Sequence, residues 1–338
     1  MAEMTAVEWA DSTFNPWTGC TKISPACDNC YAEAWAKRSG MVEWGNHPRR
    51  RTAPANWREP LKWQRDAAEF GMQHGRRRRV FCASLADVFD NQVDQQWRKD
   101  PFDLIRLTPD LDWQLLTKRP QNIVKLSKAA GGLPANVALG TTMEDQPRAD
   151  SNLPHLLIAA AETKPMYTFG SFEPMLGLTD VRWALSLNKL DIAAGIMRRG
   201  HFSPGLETIS GLEWVIAGGE SGWNARPVHP DWIRSLRDQC ASAAVPFMFK
   251  QWGLWKPVLD RAVDDPDWRA DYSRKYPDRD NHRWVNLEGG RGFHGERFHV
   301  MRRMNKNLAG NELDGRQHLE FPIGNYHQPI FSQATLAL

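Results

Sequence analysis

Short runs of β-branched and aromatic residues recur along this chain, each followed by a longer stretch with helical character. The runs are Val80–Ser84, Trp113–Leu116, Asn136–Gly140, Met166–Ser171, Trp214–Gly218 and Phe247–Gln251, with a further short strand near Thr13–Pro16. Helix candidates lie at Cys30–Gly40, Asp94–Thr108, Pro120–Ala130 and Pro230–Ala243, and Asp94 and Asp231 are placed to help start theirs. Strands that alternate with helices pair in parallel, because each helix carries the chain back across the sheet. Six to seven such units predict an α/β fold: a partial or full parallel (β/α) barrel, with its chemistry at the C-terminal ends of the strands. Two segments break the rhythm. Residues 179–211 lengthen one connection and are expected to form an inserted lid. Residues 1–255 would then form the barrel and 256–338 an irregular accessory region packed on it, polar and rich in Asp, Arg and Trp over Lys256–His299.

The residues that follow each strand acquire meaning from that geometry. They include Ser84 and Asp87, Thr117 and Lys118, Thr141 and Thr142, Ser171 and Glu173, Glu220 and Ser221, and Lys250 and Gln251. Helix caps and turns use the same short polar side chains, so the threonines fit either role. Glu173, Glu220 and Lys250 are long charged groups that need partners inside a barrel mouth, and they read as site residues. Glu173 and Lys250 are the candidate catalytic groups.

Near the start of the chain, Cys20, Cys27 and Cys30 share one loop, Gly19-Cys20-Thr21-Lys22-Ile23-Ser24-Pro25-Ala26-Cys27-Asp28-Asn29-Cys30-Tyr31-Ala32-Glu33. Three thiolates hold three irons of a cubane cluster and leave the fourth open to an external ligand. Cys27-x2-Cys30 is also half of a zinc knuckle, with His47, Cys82 or Cys240 as sources of a fourth ligand. A structural zinc site normally shows a second ligand pair, and none is visible; spacing alone leaves iron–sulfur and zinc both open. A disulfide fits less well with five cysteines and no signal peptide at the N-terminus. Cys82 sits within an apolar run and Cys240 near a helix end, so both read as buried, inert thiols.

Hydrophobic residues make up 41% and charged residues 25%, a globular balance, and no run of eighteen apolar residues predicts a membrane span. A reducing cytoplasm suits free thiols and is the expected location. The net charge of +3 is too small to mark a nucleic-acid binder by itself. Its distribution is more suggestive: Arg49–Arg51, Arg76–Arg79, Arg198–Arg199 and Arg302–Arg303 are local clusters. Any one of them is equally a solvated turn. Arg76–Arg79 precede a strand and so face away from the barrel mouth. Arg49, Arg50 and Arg51 occupy a long connection able to fold over it. With Trp252 and Trp255, from a chain that has sixteen tryptophans, they are the expected phosphate- and base-contacting surface.

The cysteine loop resembles that of the radical SAM superfamily, although its first gap holds six residues rather than three, and Asn29 stands where an aromatic is usual. It resembles more closely the three-cysteine-motif proteins of phages and bacterial genomes, a family of unknown function distantly similar to spore photoproduct lyase. The shared landmarks are GCTKISPACDNCYAE, SLADVF at Ser84–Phe89, LLTKRP at Leu115–Pro120, SFEPMLG at Ser171–Gly177, AGGESGWNARPVHPDW at Ala217–Trp232, FKQWG at Phe249–Gly253 and NELDGRQHLEFP at Asn311–Pro322.

The resemblance implies a partial barrel, a [4Fe–4S] cluster on Cys20, Cys27 and Cys30, and S-adenosylmethionine cleaved to a 5′-deoxyadenosyl radical. It also implies an electron donor such as flavodoxin or ferredoxin, and it admits a neighbouring partner protein. Gly218-Gly219-Glu220 resembles the element that meets the methionine amino group, though it follows a late strand rather than an early one. Glu220 would accept from the ammonium, Lys118 and Arg119 would meet a carboxylate or phosphate, and Ser84 and Asp87 would complete the cofactor site. Cys82 would be a hydrogen donor if the lyase likeness extends that far. The expected function is a radical SAM enzyme acting on nucleic acid, in base repair or modification. The alternatives are a radical SAM enzyme acting on a small molecule or peptide, and a metal-stabilised nucleic-acid-binding protein without radical chemistry.

Overall fold

Seven strands pair in parallel and in chain order in a computed structural model that describes residue 5 and residues 7–262, 274–279, 281–290 and 297–322. They are β1 (Ser12–Phe14), β2 (Arg78–Cys82), β3 (Leu111–Thr117), β4 (Val137–Thr142), β5 (Thr168–Phe172), β6 (Trp214–Gly218) and β7 (Phe247–Gln251). Every neighbouring pair is parallel, and β1 does not pair with β7, so the curled sheet is a half-barrel rather than a closed one. The crossovers run through α1 (Tyr31–Ser39), α2 (Pro54–Arg65), α3 (Ala67–His74), α4 (Gln95–Arg106), α5 (Ile123–Ala129), α6 (Gln146–Thr163), α7 (Arg182–Leu185), α8 (Lys189–Arg198) and α9 (Pro230–Ser242).

Local chemistry explains the starts. The Asp94 carboxylate accepts from the Gln96 and Trp97 amides and caps α4, as expected. At α9 the cap is His229, whose Nδ1 accepts from the Asp231 amide at 3.1 Å, so Asp231 does not serve as the cap.

Pleating sorts the side chains into two cores. On β6, Trp214 and Ile216 face the lumen, while Val215 and Ala217 face the helices. The lumen side holds Trp9, Phe81, Ala138, Met166, Tyr167, Phe169 and Met248 in the same cluster, with Trp9 and Phe81 rings 4.5 Å apart. Gly140 is required there: a Cβ would lie 2.3 Å from the Phe169 ring. Near the end of the described chain, Phe321 stacks on Trp214 at 4.7 Å, and Leu319 bridges to Met248. Aromatic rings thus fill the lower lumen and leave the strand C-termini open.

Of the two segments that break the rhythm, 179–211 forms α7 and α8 and joins the helix layer, where the Val181 amide donates to Gln239 of α9 at 2.8 Å. It does not reach the mouth. Beyond the barrel, β8 (Trp255–Ala262), β9 (His282–Asn286) and β10 (Arg297–Arg303) form an antiparallel sheet with β10 in the centre. Part of the expected accessory region, including 263–273 and 291–296, lies outside the described residues.

A three-thiol cavity at the mouth of the half-barrel

The cysteine loop leaves β1 and enters α1, with Pro25–Cys27 in a short 3-10 turn and Cys30 at the start of the helix. Buried charge pins it at three points. At its start, Arg119 reaches Cys20 Sγ (3.5 Å), Asp87 Oδ2 (3.0 Å) and the Thr21 carbonyl (3.0 Å). Arg49 adds a bond to Thr21 Oγ1 at 2.8 Å while paired with Asp90 at 2.7 Å. In the middle, Glu144 accepts from the Ala26 amide at 3.1 Å. At its end, Arg226 grips the Pro25 carbonyl (2.9 Å) and Asp28 (3.1 Å), and Asn29 donates to Glu220 (3.0 Å).

All three thiols line one cavity of about 210 Å³ at the C-terminal ends of the strands. Its lining also includes Tyr31, Ser84, Asp87, Lys118, Glu173, Gly219, Glu220, Lys250 and Gln251, while Trp9, Phe81, Leu116 and Pro174 give it apolar walls. Glu173 and Lys250 meet there as an ion pair of 3.0 Å, both mostly buried. Thr142 Oγ1, Ser171 Oγ and Gln251 Oε1 belong to residues lining the cavity and have no hydrogen-bond partner among the described residues. Such a buried oxygen costs about 1–3 kcal/mol until a ligand satisfies it.

Burial pushes the Cys20 thiol up to about 11, with Asp87 adding to the rise and Arg119 opposing it. Without metal this thiol keeps its proton at neutral pH; a bound metal would displace it. The donor set suits a cluster with one open position. No histidine and no fourth cysteine lines the cavity among the described residues. His47 pairs with Glu43 at 3.2 Å, and Cys82 and Cys240 are 1% and 0% exposed in the core. Ligands of a single tetrahedral zinc ion with sulfur at about 2.3 Å would crowd to within about 3.8 Å of one another. The three thiols do not form such a group. Among the described residues, only His229, Asp231 and His299 have ligand atoms all within 4.8 Å of each other.

Several expected site residues play other parts. Glu220 lines the cavity, but its carboxylate is taken by Arg226, through Nη2 at 2.7 Å and Nε at 3.0 Å, and by Asn29; it clamps the cysteine loop instead of waiting for an ammonium. Asp87 is likewise a hub, accepting from Thr117 Oγ1 (2.7 Å), the Lys118 amide (3.1 Å) and Arg119. Ser84 accepts from Asn15 through Oγ and from Tyr31 through its carbonyl. Gly218 does not line the cavity; a Cβ there would stand 2.8 Å from Glu173 Oε1, so it makes room for that carboxylate. Gly219 does line it, and a Cβ there would meet the Trp252 carbonyl at 2.1 Å. Cys82 points to the helix side of β2, beside Phe14 and Val80, because alternation gives the lumen to Phe81. It is not placed to donate hydrogen into the cavity.

The expected nucleic-acid surface is corrected more heavily. Arg49 is buried against Asp90, and Arg51 pairs with Asp100 at 2.6 Å and lies over Trp57. Arg50 remains exposed, with one bond to the Met41 carbonyl. Trp252 and Trp255 are 2% and 4% exposed, their indole N–H groups spent on the Glu312 and Ala225 carbonyls. Sequence reasoning passed over Glu144, Asn29 and Arg226. Glu144 and Arg226 act on the loop from distant positions and Asn29 from within it, and no periodicity or spacing marks them.

A half-barrel of parallel strands with three thiols at its mouth defines the class of this protein. The chain belongs to the family described as Protein of unknown function (DUF5131), whose model matches residues 4–322. No curated protein matches it. Among solved structures it is similar to a Cys-to-Ser mutant of spore photoproduct lyase, with 11% identity, 86% of this chain and 68% of that chain covered, and a TM-score of 0.39. A second mutant of that lyase, with bound AdoMet and dinucleoside spore photoproduct, has 12% identity, 86% and 68% coverage and a TM-score of 0.36. The lyase complexed with dinucleoside spore photoproduct has 10% identity, 85% and 67% coverage and a TM-score of 0.38.

Proposed function

We propose that this chain is a radical SAM-type iron–sulfur enzyme acting on nucleic acid. The observation that carries the reading is the gathering of Cys20, Cys27 and Cys30 on one cavity at the strand C-termini, with no fourth thiol or imidazole in the lining among the described residues. These cysteines would hold a [4Fe–4S] cluster. Such a cluster would supply the one-electron reduction that cleaves a carbon–sulfur bond of S-adenosylmethionine, with the electron coming from a donor such as flavodoxin or ferredoxin.

The chain's own residues do the rest. Lys118 offers a cation to a carboxylate, and the unsatisfied oxygens of Thr142, Ser171 and Gln251 accept from an ammonium or hydroxyls. Glu173 and Lys250 hold opposite charges in the lining, and Trp9, Phe81, Leu116 and Pro174 keep water out. Two exposed rings support the nucleic-acid reading. Tyr31 lines the cavity and is 55% exposed; Trp223 is 83% exposed, two positions beyond Ser221, with the Arg303 guanidinium 5.0 Å from its ring. Exposed rings beside a cation suit stacked bases on a phosphate chain, at about 1–3 kcal/mol per stacked base.

Anaerobic reconstitution tests the first half. One cluster per chain and formation of 5′-deoxyadenosine from S-adenosylmethionine under reductant are expected; stoichiometric zinc without iron uptake overturns the reading. For the second half, salt-sensitive binding to DNA or RNA, weakened by Trp223→Ala, is expected. Absence of such binding at micromolar concentration would pass the lead to a small-molecule or peptide substrate.

A further inference from the structure

We infer that Arg119 is a positioning residue that raises the reduction potential of the cluster held by Cys20, Cys27 and Cys30. The inference rests on the cluster reading above. Arg119 is 5% exposed, and its Nη1 donates at once to Cys20 Sγ (3.5 Å) and to Asp87 Oδ2 (3.0 Å). The thiols are not equivalent. Cys27 Sγ has a neutral hydroxyl, Ser24 Oγ, at 3.9 Å, and Cys30 sits at the start of α1. Cys20 alone receives a guanidinium hydrogen bond among the described residues.

An N–H bond and a positive charge at a cluster sulfur stabilise the more negative, reduced state and so raise the potential. Asp87 works against this, because its carboxylate shares the same guanidinium nitrogen. The pair is therefore built as a donor with a counter-charge. A residue that only held the loop would need neither the thiol contact nor this balance, since Arg119 Nη2 already binds the Thr21 carbonyl.

The test is a mediated redox titration of the cluster-loaded full chain, with one electron supplied per cluster and iron and sulfide counted in every variant. Arg119→Gln is expected to lower the one-electron reduction equilibrium about tenfold, or about 59 mV. Arg119→Lys keeps the charge but lacks the planar fork, so it should fall between Gln and wild type. Asp87→Asn removes the counter-charge and should move the potential the opposite way, upward. Opposed shifts are what a structural role cannot produce. A fully loaded Arg119→Gln protein with the wild-type potential overturns the inference, as does a downward or absent shift in Asp87→Asn. If Arg119→Gln retains no cluster, the Asp87→Asn shift decides. Loss of the cluster from both variants also overturns it, because a loop-holding role then suffices. A wild-type chain that takes up no cluster is a different result and removes the cluster reading itself.

Discussion

The two ends of the half-barrel lumen are made from the same strands and could hardly differ more. At the lower end Trp9, Phe81, Tyr167, Phe169 and Trp214 pack ring against ring, with Phe169 and Trp214 centroids 5.8 Å apart. At the upper end the strand ends and the cysteine loop gather thiols, an ion pair and hydroxyls around one cavity. The lower end gains stability by burying apolar area, whereas the upper end gives its buried positions to polar and charged side chains. Damage at the two ends should therefore separate cleanly into loss of fold and loss of function.

The sharpest break in that comparison is removal of a thiol. Cys20→Ala, Cys27→Ala and Cys30→Ala should each abolish the cluster, read as loss of the broad absorbance near roughly 400 nm and of iron, while the metal-free protein melts close to the wild-type apo temperature. Cys82→Ala and Cys240→Ala, both in the outer core, should keep full iron content at some cost in stability. Iron lost from a folded Cys82→Ala or Cys240→Ala protein would reveal a fourth protein ligand and erase the contrast.

The converse experiment is Phe169→Ala. It removes a fully buried ring from the lower lumen and should cost about 3–5 kcal/mol in denaturant unfolding, with iron per folded molecule unchanged. Loss of the cluster at wild-type stability would mean that the two ends are mechanically coupled.

A smaller effect distinguishes two roles at the upper end. Glu220→Gln weakens the clamp on Arg226, where charge-assisted hydrogen bonds are worth roughly 1.5–3 kcal/mol each. Faster amide exchange over residues 25–30 and poorer iron retention are expected. Affinity for S-adenosylmethionine, normalised to cluster content, should be unchanged; a tenfold loss would return Glu220 to the cofactor.

The sequence made the barrel legible because strands buried on both faces read as apolar runs, and β6 and β7 came out with their observed bounds. The cysteine loop was legible because three thiols on one loop have few uses. Arginines misled. Arg49 looked like a surface cation and is buried, since its Asp90 partner lies far away in sequence and charge pairing across that distance leaves no local pattern. Trp252 and Trp255 show the same limit: whether a tryptophan stacks on a base or fills a core depends on what covers it. Trp223, which is exposed, sits in an ordinary-looking turn. Glu173 and Lys250 line the cavity because they stand at strand ends, where the fold itself directs a charge inward.

An effect confined to acid pH belongs to neither end, and it concerns the cluster that most resembles a metal site by distance. His229 is fully buried at the start of α9, its Nδ1 accepting from the Asp231 amide, its ring 4.6 Å from that of His299. The cap leaves its proton on Nε2, which excludes a metal there without breaking the helix start. Burial, and then the neighbouring His299, hold its pKa down from 6.5 to about 3. The folded protein therefore keeps this ring neutral where the unfolded chain protonates it. Its contribution is fully present above about pH 6.5 and is lost as pH falls toward about 3, because the unfolded state binds the extra proton. His229→Asn preserves a capping side chain and removes the titration, so stability measured by denaturant at stepped pH should fall less steeply across that window than in wild type. Identical acid-side slopes would show that His229 is not buried neutral, and zinc-dependent stabilisation lost in this variant would show that this cluster binds metal.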